Sequence, residues 1–204
     1  MLYLHGTFRN LYQNIEKINA LREAGFSILA VDYRGWGRSS PIVPSEQSII
    51  DDATLAWHEL SKREPRPAMR VIYGHSMGSG AAVALASSLE SGTDYGALIL
   101  ESAFTSFSDV AWQAGVLAGA LVNFNNERFD SLTRITRIKA PVLMLHGSAD
   151  TTVPQVLGQT LFAAANAPKQ WLSISGGTHS SLQQDSPDTY QTGLRRFIQT
   201  YLKP

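Results

Sequence analysis

Short apolar runs alternate along this chain with longer stretches of helical periodicity, a pattern that predicts a parallel sheet joined by crossover helices. Runs at residues 2–5, 27–33, 70–74, 97–100, 141–146 and 170–174 read as strands. Most are near-continuous rather than alternating, as in strands covered on both faces. Helical stretches lie between them at 11–24, 46–62, 77–90, 156–165 and 189–202. Asn10, Ser45 and Asp188 suit N-cap positions, and Gly25 stands where a glycine would close the first helix. Residues 104–138 break the repeat. A mixed apolar helix (110–122), a polar turn with Asn123, Asn125 and Asn126, and a run into the fifth strand fill them. An insertion there hangs over the carboxyl ends of the strands. The expectation is one α/β domain over 1–204, with a small lid at 104–138.

Composition narrows the function classes. A chain of 204 residues suits one well-buried domain, and 44% apolar with 17% charged residues is ordinary for a soluble protein. Lys plus Arg (17) balances Asp plus Glu (17), so there is no electrostatic footprint for nucleic acid or an anionic membrane. The lack of cysteine excludes disulfides, thiol nucleophiles and Cys-based zinc sites. No apolar stretch approaches the roughly 20 residues of a membrane span, and no signal peptide precedes the first strand. A soluble chain is expected, with its compartment and oligomeric state open. No residue spacing suits a metal and no Gly-rich loop suits a phosphate, so neither metal nor cofactor is expected.

The strongest chemical signal is Gly74-His75-Ser76-Met77-Gly78, between the apolar strand Val71-Ile72-Tyr73 and a helix of small residues. G-x-S-x-G alone is common by chance. Strand before and helix after make it a nucleophile elbow, in which the serine is strained and its neighbours must be small. A serine hydroxyl needs a base, and the base needs an orienting acid. Asp150, in Gly147-Ser148-Ala149-Asp150, and His179, in Gly176-Gly177-Thr178-His179, follow in that order beyond the carboxyl ends of strands. Glu101, at the end of the strand after the serine, is the rival acid. The second signal is His5-Gly6-Thr7 at the end of the first strand. An oxyanion hole there would take the Met77 N–H and that of Thr7, with Phe8 as the alternative.

Other polar residues have structural readings. Asp32 is expected to brace a loop with Arg34, and His5, His75 and His146 to be hydrogen-bonded structural histidines. Asp51 and Asp52 fall in the first turns of a helix and read as surface charges favoured by its dipole. His58 falls mid-helix without a partner motif.

With these stretches the chain resembles the α/β-hydrolase superfamily, within it the ABHD and serine-aminopeptidase-like serine hydrolases. The resemblance runs through Leu4-His5-Gly6, the stretch from Val31 to Ser39 (Val-Asp-Tyr-Arg-Gly-Trp-Gly-Arg-Ser), Gly74-His75-Ser76-Met77-Gly78, residues 98–106, residues 141–154 and Gly176-Gly177-Thr178-His179. It implies an α/β-hydrolase fold with a mostly parallel six-stranded sheet, helices on both faces and a small lid. It also implies Ser76, Asp150 and His179 as catalytic residues, Thr7 and Met77 as oxyanion donors, and cofactor-free hydrolysis of esters, thioesters or amides. Two features depart from the family. Met1 opens the strand that relatives precede with a β-hairpin, leaving strand 27–33 at a sheet edge, and relatives often carry a residue other than His before the serine.

The expected substrate is a small-molecule acyl ester or thioester. Phe8, Phe104, Trp112 and Leu117 are the expected pocket residues, with Val116, Leu121 and Phe124 adding to an apolar inserted segment. A peptidase or amidase with the same residues, and a non-catalytic binding protein on the hydrolase fold, are the alternatives.

Overall fold

The computed structural model describes residues 1–7, 10–114 and 128–202. Six strands pair in parallel throughout: β1 (Leu2–Leu4), β2 (Leu29–Val31), β3 (Val71–His75), β4 (Ala97–Glu101), β5 (Val142–Gly147) and β6 (Lys169–Ile174). Their order is β2-β1-β3-β4-β5-β6, so β2 lies at one edge, as the resemblance implied. Around them run α1 (Ile15–Glu23), α2 (Glu46–Arg63), α3 (Met77–Ser88), α4 (Phe107–Ala114), α5 (Ser131–Ile135), α6 (Gln155–Ala164), α7 (Leu182–Asp185) and α8 (Pro187–Tyr201). Among the described residues no helix is long and apolar enough to cross a membrane.

The near-continuous apolar strands serve two cores. Ile72, Leu98, Leu100, Val142 and Met144 face one way and pack with Trp57 of α2, Leu85 of α3 and Leu161 of α6. Tyr73, Ile99, Leu143 and Leu145 face the other way, onto Leu21 of α1 and Leu194 and Phe197 of α8. Each such leucine, fully buried, contributes about 1.5–3 kcal/mol. The sheet is therefore a rigid middle layer, and every connection leaving a strand's carboxyl end opens on the same side.

Local signals account for the helix ends. Ser45 caps α2 through a reciprocal box with Ser48. Gly25, at φ 113°, follows α1. Asn10 accepts from Gln13 N at 3.1 Å but is not the cap: Leu11 holds that position for the 3₁₀ turn Tyr12–Asn14, and Asn14 holds it for α1. Asp188 is no cap: α8 begins one residue earlier, at Pro187, whose fixed φ suits a first helical position.

The inserted segment is tied down where it is described. Phe104 is buried in the core, and its ring lies 5.0 Å from that of Phe107, which in turn meets Phe129 at 4.8 Å. Glu46, at the start of α2, accepts the N–H groups of Arg128 and Phe129 and pairs with Arg134 at 2.8 Å. Trp112 on α4 is 46% exposed. Phe8, Val116, Leu117, Leu121 and Phe124 lie outside the described residues.

Candidate active site

Ser76 forms the corner between β3 and α3, at φ 54° and ψ −125°. Both flanking glycines are required by close approach. A Cβ on Gly74 would stand 2.2 Å from the Gly78 carbonyl oxygen, and one on Gly78 would stand 2.1 Å from that of Leu4. The turn is pinned by Ser76 N–H donating to the Glu101 carbonyl at 3.0 Å and by Ser79 Oγ donating to the Ser76 carbonyl at 2.6 Å.

Three distant side chains converge here. His179 Nε2 lies 2.9 Å from Ser76 Oγ, and its Nδ1 lies 2.8 Å from Asp150 Oδ2. With the carboxylate accepting at Nδ1–H, Nε2 is left as acceptor for the serine hydroxyl. The other Asp150 oxygen accepts the N–H groups of Thr152 (3.0 Å) and Val153 (2.8 Å). His146 Nε2 donates to the Val153 carbonyl at 2.9 Å and also stands 3.5 Å from Asp150 Oδ2. Burial alone would push the Asp150 carboxyl up. The hydrogen bonds and charge from His146, His179 and the Val153 N–H outweigh it and hold the group well below the usual carboxylate range.

The turn after β1 runs against the serine. A Cβ on Gly6 would lie 3.0 Å from Ser76 Cβ, and the Thr7 carbonyl accepts from Trp36 Nε1 at 2.6 Å. Met77 is the first residue of α3, so its N–H lies at that helix's N-terminus. Gly6, Thr7, Asn14, His75, Ser76, His179 and Ser180 line a cleft of about 30 Å³. Phe104 and Trp112 are not among these described lining residues.

His5 donates from Nδ1 to the Gly6 carbonyl at 2.7 Å and packs on Tyr33 and Trp36. Its burial lowers its pKa against smaller opposing effects of that bond and of Asp32. Asp32 accepts from Leu11 N at 2.8 Å. It braces a loop as expected, but not with Arg34. Arg34 goes to Asp52, by its main-chain N–H and by Nε, each at 2.7 Å. Asp52 is thus a buried partner and not a surface charge. The signal was present, because Asp52 falls on the stripe of Ile49, Ala53, Trp57 and Leu60 that α2 buries.

Glu101 is committed elsewhere. Its carboxylate takes the buried Lys17 ammonium and the hydroxyls of Tyr73 and Tyr190, so Asp150 and not Glu101 meets His179. Lys17 belongs to no motif in the sequence, although it lies in line with the buried Asn14, Leu21 and Ala24.

A three-layer parallel sheet, with a strained serine at a strand–helix corner and a His–Asp pair beside it, defines an α/β hydrolase. The model of the family described as serine aminopeptidase, S33, matches residues 1–128, and the chain belongs to that family within the α/β-hydrolase superfamily. An uncharacterized protein of Mycobacterium tuberculosis is 32% identical over 204 residues, 97% of this chain and 69% of that protein. Lysophosphatidylserine lipase ABHD12 of Danio rerio is 35% identical over 185 residues, 83% of this chain and 48% of that protein. The Pyrococcus furiosus esterase Pf2001 superposes with a TM-score of 0.82 at 17% identity, covering 99% of this chain and 82% of that one. At that identity the superposition speaks for the fold.

Proposed function

We propose that this chain is a serine hydrolase that cleaves carboxylic esters, thioesters included, through an acyl-enzyme intermediate. The observation that carries the reading is the pair of hydrogen bonds from Asp150 to His179 to Ser76, ending on a serine in a strained turn. In the proposed reaction Ser76 Oγ attacks the carbonyl carbon while His179 Nε2 takes its proton. Asp150 steadies the imidazolium, and the N–H groups of Thr7 and Met77 receive the oxyanion. Collapse breaks the bond to the leaving oxygen or sulfur, which takes the proton from His179. Water then attacks the acyl carbon, gives a proton to His179, and releases the acid as the proton returns to Ser76. The steps as written need no cofactor.

The ester reading draws support from the relatives, one of them named a lysophosphatidylserine lipase and one an esterase. The acyl group would lie against the inserted segment, for which the sequence offers Phe8, Phe104, Trp112 and Leu117 as pocket residues. The family description, serine aminopeptidase, favours a second reading: amide or peptide cleavage with the same residues.

The test is labelling with a fluorophosphonate probe beside a panel of p-nitrophenyl esters of rising chain length and an aminoacyl anilide. Labelling and ester turnover that vanish in Ser76→Ala support the proposal. Turnover of the anilide alone moves it to the peptidase reading, and unchanged turnover in Ser76→Ala overturns both. An intact protein that neither labels nor turns over any substrate is a binding module.

A further inference from the structure

His179 sits on a loop, and an imidazole on a loop needs holding if it is to stay within reach of a serine. Asp150 holds the ring. The main chain is held separately: the His179 carbonyl accepts from His75 Nε2 at 2.9 Å and from Ser102 Oγ at 3.1 Å. Both lone pairs of that oxygen are thereby used. We propose that His75 and Ser102 are positioning residues, a two-sided clamp on the backbone of His179 that sets its imidazole over Ser76. This rests on the reading of Ser76 and His179 as nucleophile and base.

Three features carry the inference. The first is origin. His75 is the last residue of β3 and Ser102 lies one past β4, so both jaws sit on the central strands of the sheet. The ends of these strands are themselves fixed. Ser102 N donates to the Leu145 carbonyl and Ser76 N to that of Glu101, each at 3.0 Å, while the Glu101 side chain is locked into Lys17, Tyr73 and Tyr190. Elbow and clamp thus share one frame, and the base is registered to the nucleophile through the sheet.

The second is strain. Ser102 has φ 50°, a left-handed conformation in which glycine or asparagine is the economical choice. Such residues persist where their surroundings over-determine them, and they cluster at functional sites. What a serine adds here over a glycine is a hydroxyl, and that hydroxyl is on the His179 carbonyl.

The third is the choice of imidazole. His75 is 3% exposed, and its Nδ1 has no hydrogen-bond partner among the described residues. An apolar side chain would fill the space without stranding a polar atom. Among the described residues the Nε2–H bond to the His179 carbonyl is the hydrogen bond that offsets burying the imidazole, whose ring also lies 5.2 Å from that of His179. Burial, helped by the Lys17 charge, pushes the His75 pKa down to about 3, so the ring stays neutral with its proton on Nε2.

A clamp of this kind governs where the base stands, and Ser102 does so from outside the lining of the cleft at Ser76. Ser102→Gly separates that role from a structural one, because it removes the hydroxyl and relieves the positive φ together. Expected is an unchanged or higher Tm with kcat for p-nitrophenyl butyrate lower by roughly tenfold at constant KM, the order of loss that a small misplacement of a reacting group produces. His75→Leu loses activity on the same scale, and His75→Gln, whose Nε2 reaches the same carbonyl, recovers most of it. Parent-like kcat in Ser102→Gly overturns the clamp, as does activity that merely tracks Tm across the series. Ser102→Gly decides the matter alone if His75→Leu does not fold. Ser76→Ala, run alongside, keeps the failures apart. If it alone is dead, only the clamp falls; if it retains turnover, the reading of the site falls first.

Discussion

Ser76 occupies a backbone region that a serine leaves unless its neighbours hold it, and Gly74 and Gly78 are the neighbours that let them do so. Gly78→Ala would drive a methyl group into the Leu4 and His5 carbonyls, which are backbone and cannot step aside. Expected is a loss of roughly 1–3 kcal/mol or more, read as a lower urea midpoint, with activity falling because α3 must shift away from β1. A wild-type midpoint in Gly78→Ala would show that the packing tolerates what the distances forbid. Asp150 gives a subtler case. In Asp150→Asn the oxygen that accepts from Thr152 and Val153 can be kept, while an amide N–H₂ faces His179 Nδ1 and favours the wrong tautomer. The expected kcat loss is on the order of 10⁴, with the fold retained by circular dichroism, since this change in a serine protease costs about that much. A loss below about tenfold would remove Asp150 from the orienting role.

Helix α1 carries a buried cation onto the sheet. Lys17 lies between Asn14 and Leu21 on the buried face, and its ammonium meets both Glu101 and Gln183. Lys17→Met leaves a carboxylate buried without its counter-charge, at about 3–5 kcal/mol. For a chain of this length that is a fall in Tm on the order of 10 °C. Adding Glu101→Leu to it should recover most of the loss, and a double variant no more stable than Lys17→Met would show that the pair is not what the single change breaks. The pair also marks what the sequence leaves unreadable. Strands, the elbow and the order Ser76, Asp150, His179 are legible because each rests on a few adjacent residues or on chain order. Lys17 and Glu101 stand 84 positions apart, and their meeting depends on how α1 docks across β3. His75 and Ser102 reach a carbonyl, and main-chain oxygens leave no trace in a residue pattern. Asp52 is ambiguous for a different reason: a carboxylate early in a helix suits both the dipole and an arginine partner, and only its place on the apolar stripe separates the two.

Across the whole molecule, two buried histidines and two buried carboxylates bias folding in one direction. His5 and His75 are lowered, chiefly by burial; His75 is faced by Lys17, Glu101 and His179. Asp150 and Glu101 are lowered although burial opposes it, Asp150 by its histidine and main-chain donors and Glu101 by Lys17 and its hydrogen bonds. A folded pKa below the unfolded one means that the unfolded chain binds more protons between the two values, so stability rises with pH there. The contribution is complete above the unfolded value and drains away as pH falls towards the folded one. For the histidines the window opens near pH 6.5 and, for His75, extends to about 3. For the carboxylates it opens near pH 4. Acid destabilisation by these groups should therefore come in two stages, a shallower one starting below about pH 6.5 and a steeper one below about pH 4, where Asp150 and Glu101 join His75. Urea midpoints at pH 6, 5.25 and 4.5 isolate the first stage, since burial lowers the Met1 amine from 8.0 to about 6 and its own contribution lies above that range. His75→Gln should lessen the decline between pH 6 and 4.5 by up to about 1.4 kcal/mol per pH unit, since one titrating site has been removed. Asp150→Asn should leave that interval unchanged and flatten only the region below about pH 4. Constant stability from pH 6 to 4.5 in the parent protein would mean that His75 and His5 take up protons in the fold as freely as in the unfolded chain. The buried, neutral His75 that grips the His179 carbonyl would then be the wrong description of that residue.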